Sequence, residues 1–204
     1  AMVRLGLKAA RSVISSVAAR NLFDSKNKLL KGQLEKLWLH SFAVACMGKR
    51  LGDELKYENP ETLFLMGIMH DIGKMLLLRA FADISPETSL EDQDLQTAIH
   101  EIHTTFGAAL LKKLKFSRAF SQIAEFHHWE EFFDNSDPEL MIINLADCLA
   151  HQMGIGDGGK NQGAVSADDL KGSSALNQLG LDPQRVVDIA QETKPAILEG
   201  ASIF

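Results

Sequence analysis

The segment Gly67–Lys74, with the sequence GIMHDIGK, constrains the fold of this chain more than any other part of its 204 residues. It lies between two apolar runs, 63–66 and 75–78, and is predicted to be part of a buried helix. A buried imidazole beside a buried carboxylate is costly unless both groups are hydrogen-bonded or bound to a metal ion. His70 and Asp71 therefore need polar partners from elsewhere in the chain.

Candidate partners lie before and after this pair. The chain has seven histidines, and five of them form one ordered series with two aspartates. For His70 and Asp71 taken alone, a metal-ligand pair and a buried hydrogen-bonded pair are equally good interpretations. A single helical histidine is more often a core or surface residue than a ligand, so His100 and His151 are left out of the series. The candidate metal ligands are His40, His70, Asp71, His103, His127, His128 and Asp147.

This series resembles the H…HD…D signature of the HD superfamily of metal-dependent phosphohydrolases. The finer pattern is similar to its HDOD branch, the HD-related output domains of bacterial signalling proteins. The resemblance covers residues 38–149 and implies an all-α, HD-domain-like helical bundle. Five segments carry it in order: LWLHS, GIMHDIGK, EIHTTFGAALLKKLKF, IAEFHH and NLADCLA.

The resemblance also implies roles for individual residues. Asp71 would bridge two divalent transition-metal ions, and mixed imidazole and carboxylate ligands suit iron, manganese, zinc or nickel. Lys74 lies four residues after His70 on the same helical face, and is the second catalytic candidate, in contact with a substrate phosphate. A lysine after a glycine is also typical of a solvated side chain. One ion would take His40, His70 and Asp147, and the other would take His103, His127 and His128.

Two functions remain open at this stage. The retained ligand set favours a signal-transduction domain that hydrolyses a phosphate ester or a nucleotide. The usual role of the family favours an output module that binds a partner protein or a ligand without turnover. The aromatic segment 129–133 follows the histidine doublet where related cyclic-di-GMP phosphodiesterases carry Gly-Tyr-Pro. That substrate is therefore not carried over, and the bulky side chains could close the pocket.

Composition excludes some partners. A net charge of −6 and a pI near 5.6 argue against duplex nucleic acid. No stretch has the roughly twenty consecutive apolar residues that a membrane span needs. Cys46 and Cys148 lie in apolar helical patterns and are predicted to be buried thiols, which fits a reducing cytoplasm. The chain is therefore expected to be cytoplasmic.

Hydrophobic periodicity predicts helices and no strand. Residues 1–153 are predicted to form the HD-like domain, 154–165 a glycine-rich linker, and 166–204 a helical extension that packs on the domain. The opening residues resemble a segment well inside the family's domain, so the family's N-terminal helices are expected to be missing. The predicted helices span about 7–23, 31–50, 61–81, 95–114, 117–129, 137–151 and 182–198.

Overall fold

The computed structural model describes residues 20–85, 89–133, 136–156 and 165–203. These residues form helices and no strand, which confirms the predicted fold class. The predicted helix over 7–23 lies outside the described residues except at its end, where Asn21–Phe23 form a 3-10 turn. The helices are α1 (Lys28–Glu54), α2 (Pro60–Met69), α3 (Ile72–Ile84), α4 (Gln93–Lys113), α5 (Arg118–Phe126), α6 (Pro138–Gln152), α7 (Ala167–Leu170), α8 (Ser174–Leu179) and α9 (Pro183–Ile203).

The prediction of a single helix over 61–81 is wrong, because the helix is interrupted between α2 and α3. The backbone of Asp71 is not helical, with φ −102° and ψ 20°. Its carbonyl oxygen accepts a hydrogen bond of 3.0 Å from the amide of Lys74, and α3 begins there. A Cβ at Gly73 would collide with the backbone carbonyl oxygen of His103. The close approach of α3 to α4 at this glycine overrides the continuous helical pattern of the sequence.

Helix α1 lies at the centre of the bundle, where it packs against α2, α6 and α9. Helix α4 packs against α3 and α5, and α6 packs against α8. The predicted stripe of α1 is fully buried, and α9 adds Val186, Ile189 and Ile197 to the core. The division of the chain into domain, linker and extension stays a prediction. The buried stripe of α1 consists of Leu34, Leu37, Trp38, Ser41, Phe42 and Ala45.

The two cysteines differ in their surroundings. Cys46 on α1 is partly buried, whereas Cys148 on α6 is exposed. The prediction of two buried thiols is therefore wrong for Cys148, because this face of α6 lines a cavity rather than another helix. None of the helices in the described parts of the chain is long and apolar enough to cross a membrane.

Candidate metal centre

The bundle brings all seven predicted ligands to one place. Neighbouring side chains on one helix diverge by about 100°. Because the helix is interrupted after α2, the side chains of His70 and Asp71 converge instead, and His70 Nε2 lies 3.4 Å from Asp71 Oδ2. Every one of the seven is buried except His128, whose side chain is 33% exposed. The five ligands other than His70 and Asp71 come from α1 (His40), α4 (His103), the end of α5 (His127 and His128) and α6 (Asp147).

Backbone carbonyl groups orient four of the imidazoles. A carbonyl oxygen can only accept a hydrogen bond, so Nδ1 of each ring must donate. When the ring is neutral, Nε2 then carries the free lone pair, which is the arrangement that metal-ligating histidines adopt. The four contacts are His40 Nδ1 to Ile155 O (3.3 Å), His70 Nδ1 to Gly67 O (2.7 Å), His103 Nδ1 to His100 O (2.6 Å) and His127 Nδ1 to Ile123 O (3.0 Å).

The two oxygens of Asp71 face different imidazoles. Oδ1 lies 3.3 Å from His103 Nε2 and 3.4 Å from His127 Nε2. Oδ2 lies 3.4 Å from His70 Nε2 and 3.9 Å from His40 Nε2. Metal–ligand bonds of about 2.1 Å put neighbouring ligand atoms about 3.0–3.4 Å apart. Most of these spacings are close to that range, so cations fit on both sides of the carboxylate, here called the His40 side and the His103 side.

Asp147 completes the His40 side. Its Oδ1 lies 2.9 Å from His40 Nε2 and 3.7 Å from His70 Nε2. On the other side, His128 Nε2 lies 3.2 Å from His103 Nε2, while His128 Nδ1 lies 3.6 Å from Asp147 Oδ2. His128 therefore contacts both sides. One of its ring nitrogens lies within 4.8 Å of ligand atoms of Asp71, His103 and His127, which assigns it to the His103 side.

Several buried atoms of this centre have no hydrogen-bond partner among the described residues. They include Nε2 of His70, Nε2 of His127 and Oδ1 of Asp71. Leaving such atoms unpaired costs about 1–3 kcal/mol each, and a native fold rarely tolerates several of them in one cluster. Nitrogen lone pairs directed at carboxylate oxygens have a simple common partner, a cation between them.

Both carboxylates stay ionised. Burial alone raises the pKa of Asp71, but the charge of Lys74 and the nearby imidazoles outweigh it and hold this pKa well below its usual range. Burial likewise raises the pKa of Asp147, but hydrogen bonds from His151 and His40 outweigh it and hold the pKa well below its usual range. Two anionic carboxylates are thus available inside the bundle as ligands for a cation.

The pKa shifts of the imidazoles run in two directions. Burial lowers the pKa of His103 to about 4 and the pKa of His128 to about 3, so both rings are neutral near pH 7. Burial also lowers the pKa of His70. At His40, burial lowers the pKa, but the hydrogen bond and charge of Asp147 outweigh it and raise the pKa overall.

Lys74 forms an ion pair inside the centre. Its Nζ lies 2.8 Å from Asp71 Oδ2, and its side chain is only 12% exposed. It also lines a cavity of about 370 Å³ together with Gln96 and Thr97. The ammonium group thus neutralises one oxygen of Asp71, and the predicted contact with a substrate phosphate stays a prediction.

Sequence reasoning left out two histidines that the fold brings to the centre. His151 Nε2 lies 3.3 Å from Asp147 Oδ1, and its ring centroid lies 4.5 Å from that of His40. The ring of His100 lies 5.5 Å from that of His103. The available signal was helical spacing, because residues three or four apart share one face of a helix.

A second cavity, of about 690 Å³, opens onto the centre. His128, Asp147 and His151 form part of its wall, and Trp129 lines it as well. Of the aromatic residues expected to close the pocket, Phe132 is buried in the core and Phe133 is exposed. The cavity therefore reaches the edge of the centre at His128 and His151, while Asp71 lies behind it, buried.

Comparisons with known proteins agree with this architecture. The sequence profile of the HDOD domain family matches residues 1–130. A structure described as an HDOD domain protein with unknown function from Geobacter sulfurreducens aligns with a TM-score of 0.61 and 17% identity, over 83% of this chain and 61% of that one. A structure described as "Putative metal-dependent phosphohydrolase" from Shewanella amazonensis SB2B aligns with a TM-score of 0.62 and 24% identity, over 91% of this chain and 70% of that one. No curated protein sequence matches.

These structural likenesses show a shared helical fold at low sequence identity. The chain spans 61% of the length of the Geobacter protein. The profile match covers residues 1–130 of 204, which is well over half of the sequence. The chain therefore belongs to the HDOD domain family.

Proposed function

We propose that this HDOD domain binds two divalent transition-metal ions and hydrolyses a phosphate ester or a nucleotide in bacterial signal transduction. One observation carries the proposal: the two oxygens of Asp71 face separate pairs of imidazole nitrogens. A carboxylate that serves one hydrogen-bonded pair has no need of this symmetry. A carboxylate that bridges two cations requires it.

The donor set suits iron, manganese, zinc or nickel better than calcium, because most of the donors are imidazole nitrogens. When bound, two such ions lower the pKa of a water molecule and stabilise the charge of phosphoryl oxygens. The His40 side would hold one ion through His40, His70, Asp71 and Asp147. The His103 side would hold the other through Asp71, His103, His127 and His128.

The chain's own residues prepare the site for a substrate. Asn144 Nδ2 donates to the carbonyl oxygens of His127 at 2.7 Å and Trp129 at 2.9 Å, which fixes the turn that carries the histidine doublet. The larger cavity then offers room for the leaving group beside His128 and Asp147. Lys74 is proposed to meet a substrate phosphate from the side of the smaller cavity.

A second candidate function is an output module that binds a signalling partner protein or a ligand without turnover. The Lys74–Asp71 ion pair favours it, because the ammonium group already neutralises Asp71 without any metal ion. In that case the centre would stabilise a binding surface rather than perform chemistry.

Elemental analysis and a hydrolysis panel separate the two functions. The protein, reconstituted with manganese or iron, is assayed against nucleotides, cyclic dinucleotides and generic phosphate esters. We expect about two ions per chain, in line with a bridging carboxylate, and hydrolysis that a chelator abolishes. Fully metal-loaded protein that hydrolyses none of these substrates would support the output module instead.

A further inference from the structure

His151 occupies a position in the centre that the family signature does not assign. Helix α6 places it one turn after Asp147, and its Nε2 lies 3.3 Å from Asp147 Oδ1. The donor atoms of His40, Asp147 and His151 all lie within 4.8 Å of one another. The side chain of His151 is 39% exposed and lines the larger cavity. It can therefore adjust toward an ion without disturbing the core.

The turn after α6, the helix that carries His151, packs against His40. The carbonyl oxygen of Ile155 accepts a hydrogen bond from His40 Nδ1 at 3.3 Å. Gly156 follows with φ +101°, a conformation that side chains disfavour, and a Cβ there would collide with the Cβ of His40. One short segment therefore orients the imidazole of His40 and ends the helix that carries His151.

We infer that His151 is an additional metal ligand on the His40 side, an inference that rests on the proposed binding of two ions. On that side the donor atoms of His40, Asp147 and His151 form one group, and those of His40, His70 and Asp71 form another, so His40 is common to both. His151 would therefore reach the ion from the end of that side where His40 and Asp147 lie. With this added imidazole, the ion on the His40 side is held more tightly than the ion on the His103 side.

The competing interpretation is that His151 only donates a hydrogen bond to Asp147. His151→Gln separates the two, because a glutamine amide can still donate to the carboxylate but is a poor ligand for transition metals. His100→Gln is the matched control. His100 also lies on a helix beside the centre, with its ring 5.4 Å from that of His128, and the contact of its carbonyl oxygen with His103 does not involve its side chain.

The first measurement is metal affinity by competition with a chelator. We expect His151→Gln to weaken the tighter of two binding steps by at least about tenfold and to leave the weaker step unchanged. His100→Gln should match the wild type in both steps. Circular dichroism of the metal-free proteins checks that both variants fold.

The second measurement is the spectrum of His151→Cys loaded with cobalt(II). A thiolate that takes the place of a ligating imidazole gives a sulfur-to-cobalt charge-transfer band in the near ultraviolet. The wild type, which retains Cys46 and Cys148, and His100→Cys supply the baselines.

Each outcome is decisive. A weakened tight step in His151→Gln, together with the new band in His151→Cys, supports the inference. Wild-type affinities in His151→Gln without a band in His151→Cys overturn it and leave the binding of two ions intact. A wild-type protein that binds no metal ion overturns both this inference and the proposed function.

Discussion

Two charged regions of this molecule use similar side chains in opposite surroundings. Around Asp71 and Asp147, carboxylates and imidazoles are packed inside the bundle. At the seam between α1 and α9, Arg185 pairs with Glu54 at 2.9 Å and with Glu192 at 3.2 Å, and all three side chains are at least one third exposed. In the seam each cation has an anion, and each carboxylate is partly exposed to solvent. In the centre, several buried nitrogen and oxygen atoms lack a hydrogen-bond partner among the residues that the structure describes.

The difference indicates what each region contributes. Burying ionised groups costs several kcal/mol per ion unless partners compensate for it, so the centre weakens the metal-free fold. The seam costs little and contributes little, because exposed ion pairs are screened by water and salt. The buried cluster is therefore expected to depend on a bound cation, whereas the exposed seam is not.

The largest effect is expected at Asp71. Asp71→Asn nearly keeps the size of the side chain but removes the charge that would hold two cations together. We predict loss of both ions from the protein and loss of all metal-dependent hydrolysis, measured by elemental analysis and by phosphatase assay.

The control for Asp71 compares alanine substitutions. Asp71→Ala should reduce the metal content per chain far more than His100→Ala, because the imidazole of His100 lies beside the centre and belongs to neither ligand set. Circular dichroism confirms folding of both. Equal losses, or none, would mean that Asp71 is only a buried hydrogen-bonding carboxylate.

A smaller effect is expected at Lys74. If Lys74 meets a substrate phosphate, Lys74→Ala should keep the metal content while turnover falls. Loss of one charge-assisted hydrogen bond is worth about 1.5–3 kcal/mol, or roughly ten- to over a hundredfold in rate. Metal analysis and steady-state kinetics of the same preparation test both parts.

Lys112 is a matched control for Lys74. Its Nζ lies 2.8 Å from Glu125 Oε2, the same distance as from Lys74 to Asp71, but the Lys112 side chain is 58% exposed. Lys112→Ala should leave metal content and turnover unchanged. A fall in metal content in Lys74→Ala would show that the ammonium group organises the ligands rather than the substrate.

The break between α2 and α3 marks the limit of prediction from this sequence. Helical periodicity and the order of the histidines predicted the fold class and the candidate ligands. The runs 63–66 and 75–78 on either side of the His-Asp pair are apolar on every face, so hydrophobic periodicity does not indicate that a helix ends at Met69. The end is caused by a tertiary contact, the approach of Gly73 to the backbone of α4 at His103.

His151 was missed for a different reason. A lone helical histidine is more often structural than ligating, and His151 lies beyond the segments that carry the family resemblance. Its relevance depends on how closely α6 approaches α1, which places its ring 4.5 Å from that of His40. A distance between helices cannot be deduced from the spacing of residues within one helix.

Acidification should lower the free energy of unfolding of the metal-free protein by a few kcal/mol, without unfolding it. Burial lowers the pKa of His103 to about 4, whereas an unfolded chain has an ordinary value of about 6.5. Between these values the unfolded state binds a proton that the folded state does not. The free energy of unfolding therefore falls as the pH drops through this window, by up to about 1.4 kcal/mol per pH unit for such a histidine.

The other histidines modify this slope in known directions. His128, with its pKa lowered to about 3 by burial, acts in the same sense as His103. His40 acts in the opposite sense, since its raised pKa gives stability that is lost as the pH rises. Urea unfolding of chelator-treated protein between about pH 7 and about pH 4.5 measures the sum. His103→Gln should flatten the slope, and an unchanged slope in that variant would contradict the assignment.

The smallest effect is expected at the exposed seam. Arg185→Ala removes the contacts with Glu54 and Glu192, but Glu192 keeps Arg50 at 3.1 Å, and the freed carboxylate of Glu54 is hydrated. We expect a midpoint of thermal unfolding close to that of the wild type, with the small difference disappearing at high salt because screening already weakens the pair. Metal content should not change. A large fall in the midpoint that persists at high salt would mean that the seam holds α9 on α1 through these charges, and the contrast with the buried centre would fail.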